Sequence, residues 1–226
     1  MRKKIVSLLF AMSMMLGISG CSVKKDKFKT ALEKMQYQYC QSDDFGTVSY
    51  DDDSGIKGIY TIISDENEIR ETITKEKDDS LLLGLDYNDV KEIGIAGNSN
   101  GVLAFEHSNL YIQSVTFKNK QSAEDVFENY YNSVMVAIRD DCSDYMYLGD
   151  DDRGDDYYVL CLSGEANERF VLVEYGLYLD GSSVIFLCAN AKGYDYSEYK
   201  RIEDLVASDV EEFCKYMGLL CPRDML

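Results

Sequence analysis

Histidine occurs once in these 226 residues, proline once, and tryptophan not at all. Each scarcity closes off some chemistry. With His107 as the only imidazole and no Cys-x-x-Cys pair, the usual zinc sets cannot be assembled locally. One histidine also limits general-base catalysis, and His107 lies in the polar stretch His107-Ser108-Asn109, which reads as an exposed turn. The absence of tryptophan weakens a glycan-binding reading. Cations are scarce as well, with 23 Lys and Arg against 41 Asp and Glu and a formal charge of −18. A body this acidic disfavours nucleic acid, whose phosphates need Lys and Arg. It equally disfavours lying flat on an anionic bilayer.

The first twenty residues differ from the rest. Arg2, Lys3 and Lys4 are followed by an apolar stretch, Ile5 to Gly17, and then by small residues and Cys21. The apolar stretch is shorter than the ~20 residues a membrane-spanning helix needs. A basic start, a short apolar run and small residues make an export signal, expected to be removed and excluded from the fold. The segment carries three of the cationic residues and none of the acidic ones, so the remainder is more acidic still.

Ile18-Ser19-Gly20-Cys21 resembles the lipobox of bacterial lipoproteins, an aliphatic residue, two small residues and a cysteine. The resemblance implies cleavage before Cys21, diacylglycerol on its sulfur, and attachment to the outer side of the cell membrane. Small residues give the peptidase access, and the thiol is the nucleophile that takes the lipid. Each buried CH₂ adds roughly 0.8 kcal/mol, so two or three acyl chains hold firmly. Residues 21–26 then form a short neck of ~20 Å reach. Lys24, Lys25, Lys27 and Lys29 cluster there, where an anionic surface would attract them.

Residues 27–226 suit a single domain large enough to bury a core. Three stretches have helical periodicity. Phe28, Ala31, Leu32, Met35 and Tyr39 share one face near Lys27 to Tyr37. Ala123, Val126, Phe127, Tyr130, Val134, Ala137 and Ile138 make a stripe from Ser122 to Arg139, with Ser122 and Asp125 in a capping-box pattern. Tyr199, Ile202, Leu205, Val206, Val210, Phe213 and Met217 line a third helix from Ser197, closed by Gly218 and followed by Pro222. Strand-like runs cover Gly58 to Ser64, Ile69 to Thr74 as its hairpin partner, Val102 to Glu106, Leu110 to Phe117, Tyr157 to Leu162, Phe170 to Leu177 and Val184 to Ala189. Consecutive strands with helices between and after them predict an α+β fold: a mainly antiparallel sheet with amphipathic helices packed on one face. The part from Leu110 to Gly218 resembles uncharacterised small lipoproteins of Gram-positive bacteria, on a strand, the helix opening Ser122-Ala123-Glu124-Asp125-Val126-Phe127, a meander and a terminal helix. That resemblance carries over no catalytic residue.

Several motifs invite a chemical reading. Gly97-Asn98-Ser99-Asn100-Gly101 matches Gly-x-Ser-x-Gly, but a nucleophile elbow needs a helix after it and an acid, then a histidine, further on. Asn100-Gly101 followed by Val102-Leu103-Ala104-Phe105 reads instead as a turn into a strand. The acidic runs Asp51-Asp52-Asp53, Asp78-Asp79, Asp140-Asp141, Asp150-Asp151-Asp152 and Asp155-Asp156 read as solvated loops; they offer oxygen ligands for Ca²⁺, but their glycines miss EF-hand spacing. An exported chain permits disulfides, and six cysteines besides Cys21 are available: Cys40, Cys142, Cys161, Cys188, Cys214 and Cys221, in any of fifteen complete pairings. Eighteen tyrosines, some at adjacent positions such as Tyr130-Tyr131 and Tyr157-Tyr158, must leave some rings exposed and suited to contact.

The sequence therefore predicts a lipid-anchored, extracytoplasmic binding or interaction protein. It is expected to lack an enzyme's site, a cofactor and a bound metal. Its partners would be the membrane, through Cys21, and an envelope protein. A small-ligand or Ca²⁺-binding lipoprotein and a carboxylate-based envelope hydrolase are the alternatives.

Overall fold

The computed structural model describes residues 27–41, 55–75, 81–98, 109–143, 148–166 and 169–225. The export signal, Cys21, the neck, Ser99 to Gly101, Val102 to Glu106, His107, Asp51 to Asp53 and Asp78-Asp79 lie outside them.

In chain order the elements are α1 (Lys27–Lys34), β1 (Tyr37–Tyr39), β2 (Gly58–Ile63), α2 (Glu66–Lys75), β3 (Val90–Gly97), β4 (Leu110–Phe117) and α3 (Lys120–Tyr130). A π-helical turn (Tyr131–Met135) joins α3 to α4 (Val136–Ser143). Then come β5 (Leu148–Arg153), β6 (Tyr157–Ala166), β7 (Arg169–Asp180), β8 (Ser183–Gly193), α5 (Tyr196–Met217) and a 3₁₀ turn (Pro222–Met225). The strands form one sheet in the order β1-β2-β3-β4-β8-β7-β6-β5. Only β1 and β2 run parallel; every other neighbour is antiparallel. The α+β class and the mainly antiparallel sheet are thus as expected. No helix among the described residues is long and apolar enough to cross a membrane.

The helices cover both faces of the sheet, not one. β8 shows why. Val184, Phe186 and Cys188 point to a core shared with Ile69, Ile73, Ala123, Phe127 and Met135 of α2, α3 and the π turn. Ile185, Leu187 and Ala189 point to a second core with Ala31, Leu32 and Met35 near α1 and Val206, Val210 and Phe213 of α5. Apolar residues at successive positions need cover on both sides, because roughly 25 cal/mol is gained per Å² removed from water.

Four local readings change. Ile69 to Thr74 belongs to α2, not to a hairpin. The Asp65 carboxylate accepts hydrogen bonds from the amides of Asn67 (2.9 Å) and Glu68 (3.2 Å), a cap that starts a helix. Ile69 and Ile73, four apart, then bury on one side. The strand beside β2 is β3, from Val90 to Gly97. The long helix starts at Lys120, capped by the Asn119 side chain on the Ser122 amide at 2.8 Å, so Ser122 with Asp125 is not the cap. Asp150-Asp151-Asp152 lies within edge strand β5, where charge discourages pairing with another chain. Tyr39 leaves the first helical face because Gln36 takes a left-handed φ of 65° and turns the chain into β1. Gly218, as expected, closes α5 with φ 62°.

Candidate functional site

The strongest candidate is a cleft of about 540 Å³ on the α1/α5 side of the sheet. That size suits a small ligand. Phe28 and Met217 form its apolar walls, at the start of α1 and the end of α5. Its floor is β4 and β8, whose outward alternation presents Ser114, Thr116 and Ser183 there. Thr116 and Ser183 face each other across the register, and their hydroxyls share a hydrogen bond of 2.9 Å. The rim carries Lys27, Lys91, Glu92 and Asp180, with Lys27 Nζ 3.0 Å from Asp180 Oδ2. Charges of both signs above a hydroxyl floor can hydrogen-bond a polar ligand and orient it.

Phe28 reaches this position because β3 has no side chain in its way. A Cβ on Gly94 would stand 2.5 Å from the Phe28 ring. Gly94→Ala is therefore expected to cost about 1–3 kcal/mol in urea unfolding by displacing that ring. In a Phe28→Leu background the same change should cost less, and equal costs in both backgrounds would argue against the contact.

Two buried acids lie elsewhere on the same side. Glu174 of β7 is fully buried. Arg223 Nη2 lies 2.9 Å from its Oε1, and Arg223 Nη1 lies 3.2 Å from Glu203 of α5. Neither Glu174 oxygen receives a well-aligned hydrogen bond among the described residues, so the ion pair is close but imperfect. Burial therefore outweighs the attraction of Arg223 and pushes Glu174 up to about 7. Asp209 of α5 is also pushed up by burial, against Lys57 at 3.4 Å and the Asn98 amide at 3.3 Å. Asn98 in turn accepts from the Leu110 amide at 2.8 Å, so Asp209 fastens α5 to the ends of β3 and β4. These acids are joints between elements, closed to substrate. Sequence gave one signal for Glu174: it breaks an apolar strand, at the same parity as buried Leu172.

Among the described residues, the acidic runs engage local partners. Asp151 pairs with Arg139 at 3.8 Å, while Asp152 accepts from the Tyr157 hydroxyl at 2.7 Å. Among the described residues no three His, Cys, Asp or Glu side chains are placed to hold a metal ion. Cys40, Cys161, Cys188 and Cys214 are buried thiols and Cys221 is half-buried; the Cys142 side chain lies outside the described residues. The tyrosines divide. Tyr130 and Tyr158 are buried, whereas Tyr39, Tyr194 and Tyr196 are largely exposed. Tyr196 meets Phe170 edge-on at 5.6 Å.

No protein-family model matches the sequence, and no curated protein is similar to it at a significant level. Among solved structures, the extracellular domain of PknH from Mycobacterium tuberculosis is similar, at 10% identity over 69% of this chain and 78% of that one, with a TM-score of 0.30.

Proposed function

We propose that the chain is a lipid-anchored binding protein of the bacterial cell envelope, held at the extracytoplasmic face of the cell membrane through Cys21. One observation carries the reading: the ordered start Arg2-Lys3-Lys4, a short apolar run, and Ile18-Ser19-Gly20-Cys21. The α1/α5 cleft supports a binding role without catalysis. Its Thr116 and Ser183 hydroxyls bond to each other, and its rim charges include an ion pair of opposite signs. The first helix begins at Lys27, six residues after Cys21, so a tether of ~20 Å keeps the cleft close to the membrane. An envelope component is then the natural occupant.

The test uses intact host cells fed an alkyne-bearing fatty acid. The wild-type chain takes the label and sediments with membranes, while Cys21→Ala loses essentially all label and appears in the soluble fraction. Equal labelling of both would overturn the anchor. Cross-linking on the same cells addresses the partner: recovery of nothing above the Cys21→Ala control counts against binding at the membrane.

A second reading, a small-ligand protein, draws on the cleft alone. Saturating ligand at a hundredfold its Kd adds about 2.7 kcal/mol of stability. Ser183→Leu, which fills the floor, should abolish that gain. A gain that survives the substitution would place the ligand elsewhere.

A further inference from the structure

The end of α5 folds back on itself and brings two thiols together. Gly218 takes the left-handed conformation, and the Leu219 amide donates to the Cys214 carbonyl at 2.9 Å. The chain therefore returns along the last helical turn. The Tyr178 hydroxyl holds it there, donating to the Leu220 carbonyl at 2.8 Å and lying 3.9 Å from Cys214 Sγ. In that arrangement the side chains of Cys214 and Cys221 are neighbours and act on each other electrostatically. Two other described thiols are placed differently, although Cys161 also feels the charge of Cys221. Cys188 belongs to the core on the opposite side of the sheet, and Cys161 sits in a separate cluster with Leu172 and Ala191.

We propose that Cys214 and Cys221 are joined by a disulfide in the exported protein, an inference that rests on the extracytoplasmic address. Among the described cysteines, these two lie on the two arms of an already formed turn, with the Tyr178 hydroxyl set between Cys214 Sγ and the carbonyl next to Cys221. The ring it closes precedes the Pro222–Met225 turn, which carries Arg223 to Glu174. The bond would latch that turn onto the end of α5, holding Arg223 against Glu174 of β7.

The chemistry balances with an oxidised dithiol of the envelope as oxidant. Cys221 is half-buried, and the neighbouring Cys214 thiol holds its own thiol below the usual range, so Cys221 is the first nucleophile. Its thiolate attacks one oxidant sulfur and expels the other as a thiolate. Cys214 then loses its proton and attacks the Cys221 sulfur, releasing the oxidant's second sulfur. One S–S bond forms and one breaks. Two electrons and two protons pass to the oxidant, which leaves as a dithiol.

Trypsin separates the two cysteines by cutting after Lys215. Thiols are blocked with an alkylating reagent in intact cells, and the lipoprotein is purified and digested without reductant. The expected product links the peptide ending at Lys215 to the one ending at Arg223, and dithiothreitol separates them. In parallel, purified full-length protein is incubated with oxidised glutathione. The wild type forms the same link, and Cys214→Ser retains glutathione on Cys221. Reduction lowers the melting temperature of the linked protein by about 5 °C, and Cys221→Ser shows no such response. A link from Cys221 to Cys161, or two alkylated cysteines after glutathione, overturns the pairing. A link that forms with glutathione but is absent in cells leaves the pairing intact and overturns the exported address.

Discussion

At pH 8, Glu174→Gln is expected to stabilise the domain by about 3 kcal/mol, and near pH 4.5 to change its stability little. The side chain is fully buried and, among the described residues, the cation paired with it, Arg223, is shared with Glu203. Desolvation wins, and the folded carboxyl titrates near 7 against an ordinary value of 4.5. A carboxyl whose pKa rises on folding is held protonated by the folded state. The stability it contributes is complete below about 4.5 and is lost as the pH climbs through about 7. At roughly 1.4 kcal/mol per unit, the loss is about 3 kcal/mol. Glutamine resembles the protonated form at every pH and escapes the loss. Urea unfolding of both proteins at pH 5, 6, 7 and 8 provides the check. The wild type should weaken as the pH rises, opposite to the acid denaturation of proteins whose carboxylates are well paired. Asp209, also pushed up by burial, leaves the variant a shallower slope of the same sign. Identical profiles for the two proteins would show that Glu174 is ionised in the folded state throughout.

What could be read from the sequence follows from which forces act locally. α5 was legible end to end, because its apolar stripe, Gly218 and Pro222 are all short-range signals. The strands Leu110–Phe117, Tyr157–Ala166, Arg169–Asp180 and Ser183–Gly193 were legible as apolar runs, although their full lengths were not. Ile69 to Thr74 failed because alternation of Ile, Glu, Ile with Arg, Thr, Thr imitates a strand. The deciding feature was Asp65, four residues earlier, acting as a cap. β3 failed for another reason. Val90-Lys91-Glu92-Ile93-Gly94-Ile95-Ala96-Gly97 carries two charges and two glycines, and its glycine at position 94 makes sense only beside Phe28. Placing helices on one face failed because period-two runs such as β8 were apolar at nearly every position, a pattern that signals cover on both sides. The cleft was invisible, since its residues come from α1, β3, β4, the β7–β8 turn and α5. Glu174 and Arg223 are equally distant along the chain. Of the cysteines, only folding reveals which pair shares a turn.

Phe213→Ala is expected to cost about 3–5 kcal/mol, a large loss for a single truncation on the α1/α5 side. The ring is fully buried and meets Phe28 edge-on, with centroids 6.1 Å apart and planes at 83°. It therefore removes a large apolar volume and an oriented aromatic contact together. The site resists collapse, because Phe28 is seated against β3 at Gly94 and cannot follow into the void without leaving that seat. Phe213→Leu keeps most of the volume and should cost clearly less. The loss should also be uneven. α1 is held by α5, and Lys27, Phe28 and Met217 all line the cleft, so weakening this contact loosens the helix nearest the tether and the cleft wall together. Native-state hydrogen exchange should show faster opening at the amides of Ala31, Leu32 and Met35, with little change at Ile73 on the opposite face. Uniform acceleration at all four would mean that the two cores open as one. The cleft wall would then move only when the whole domain unfolds, and an occupant could not enter by displacing α1.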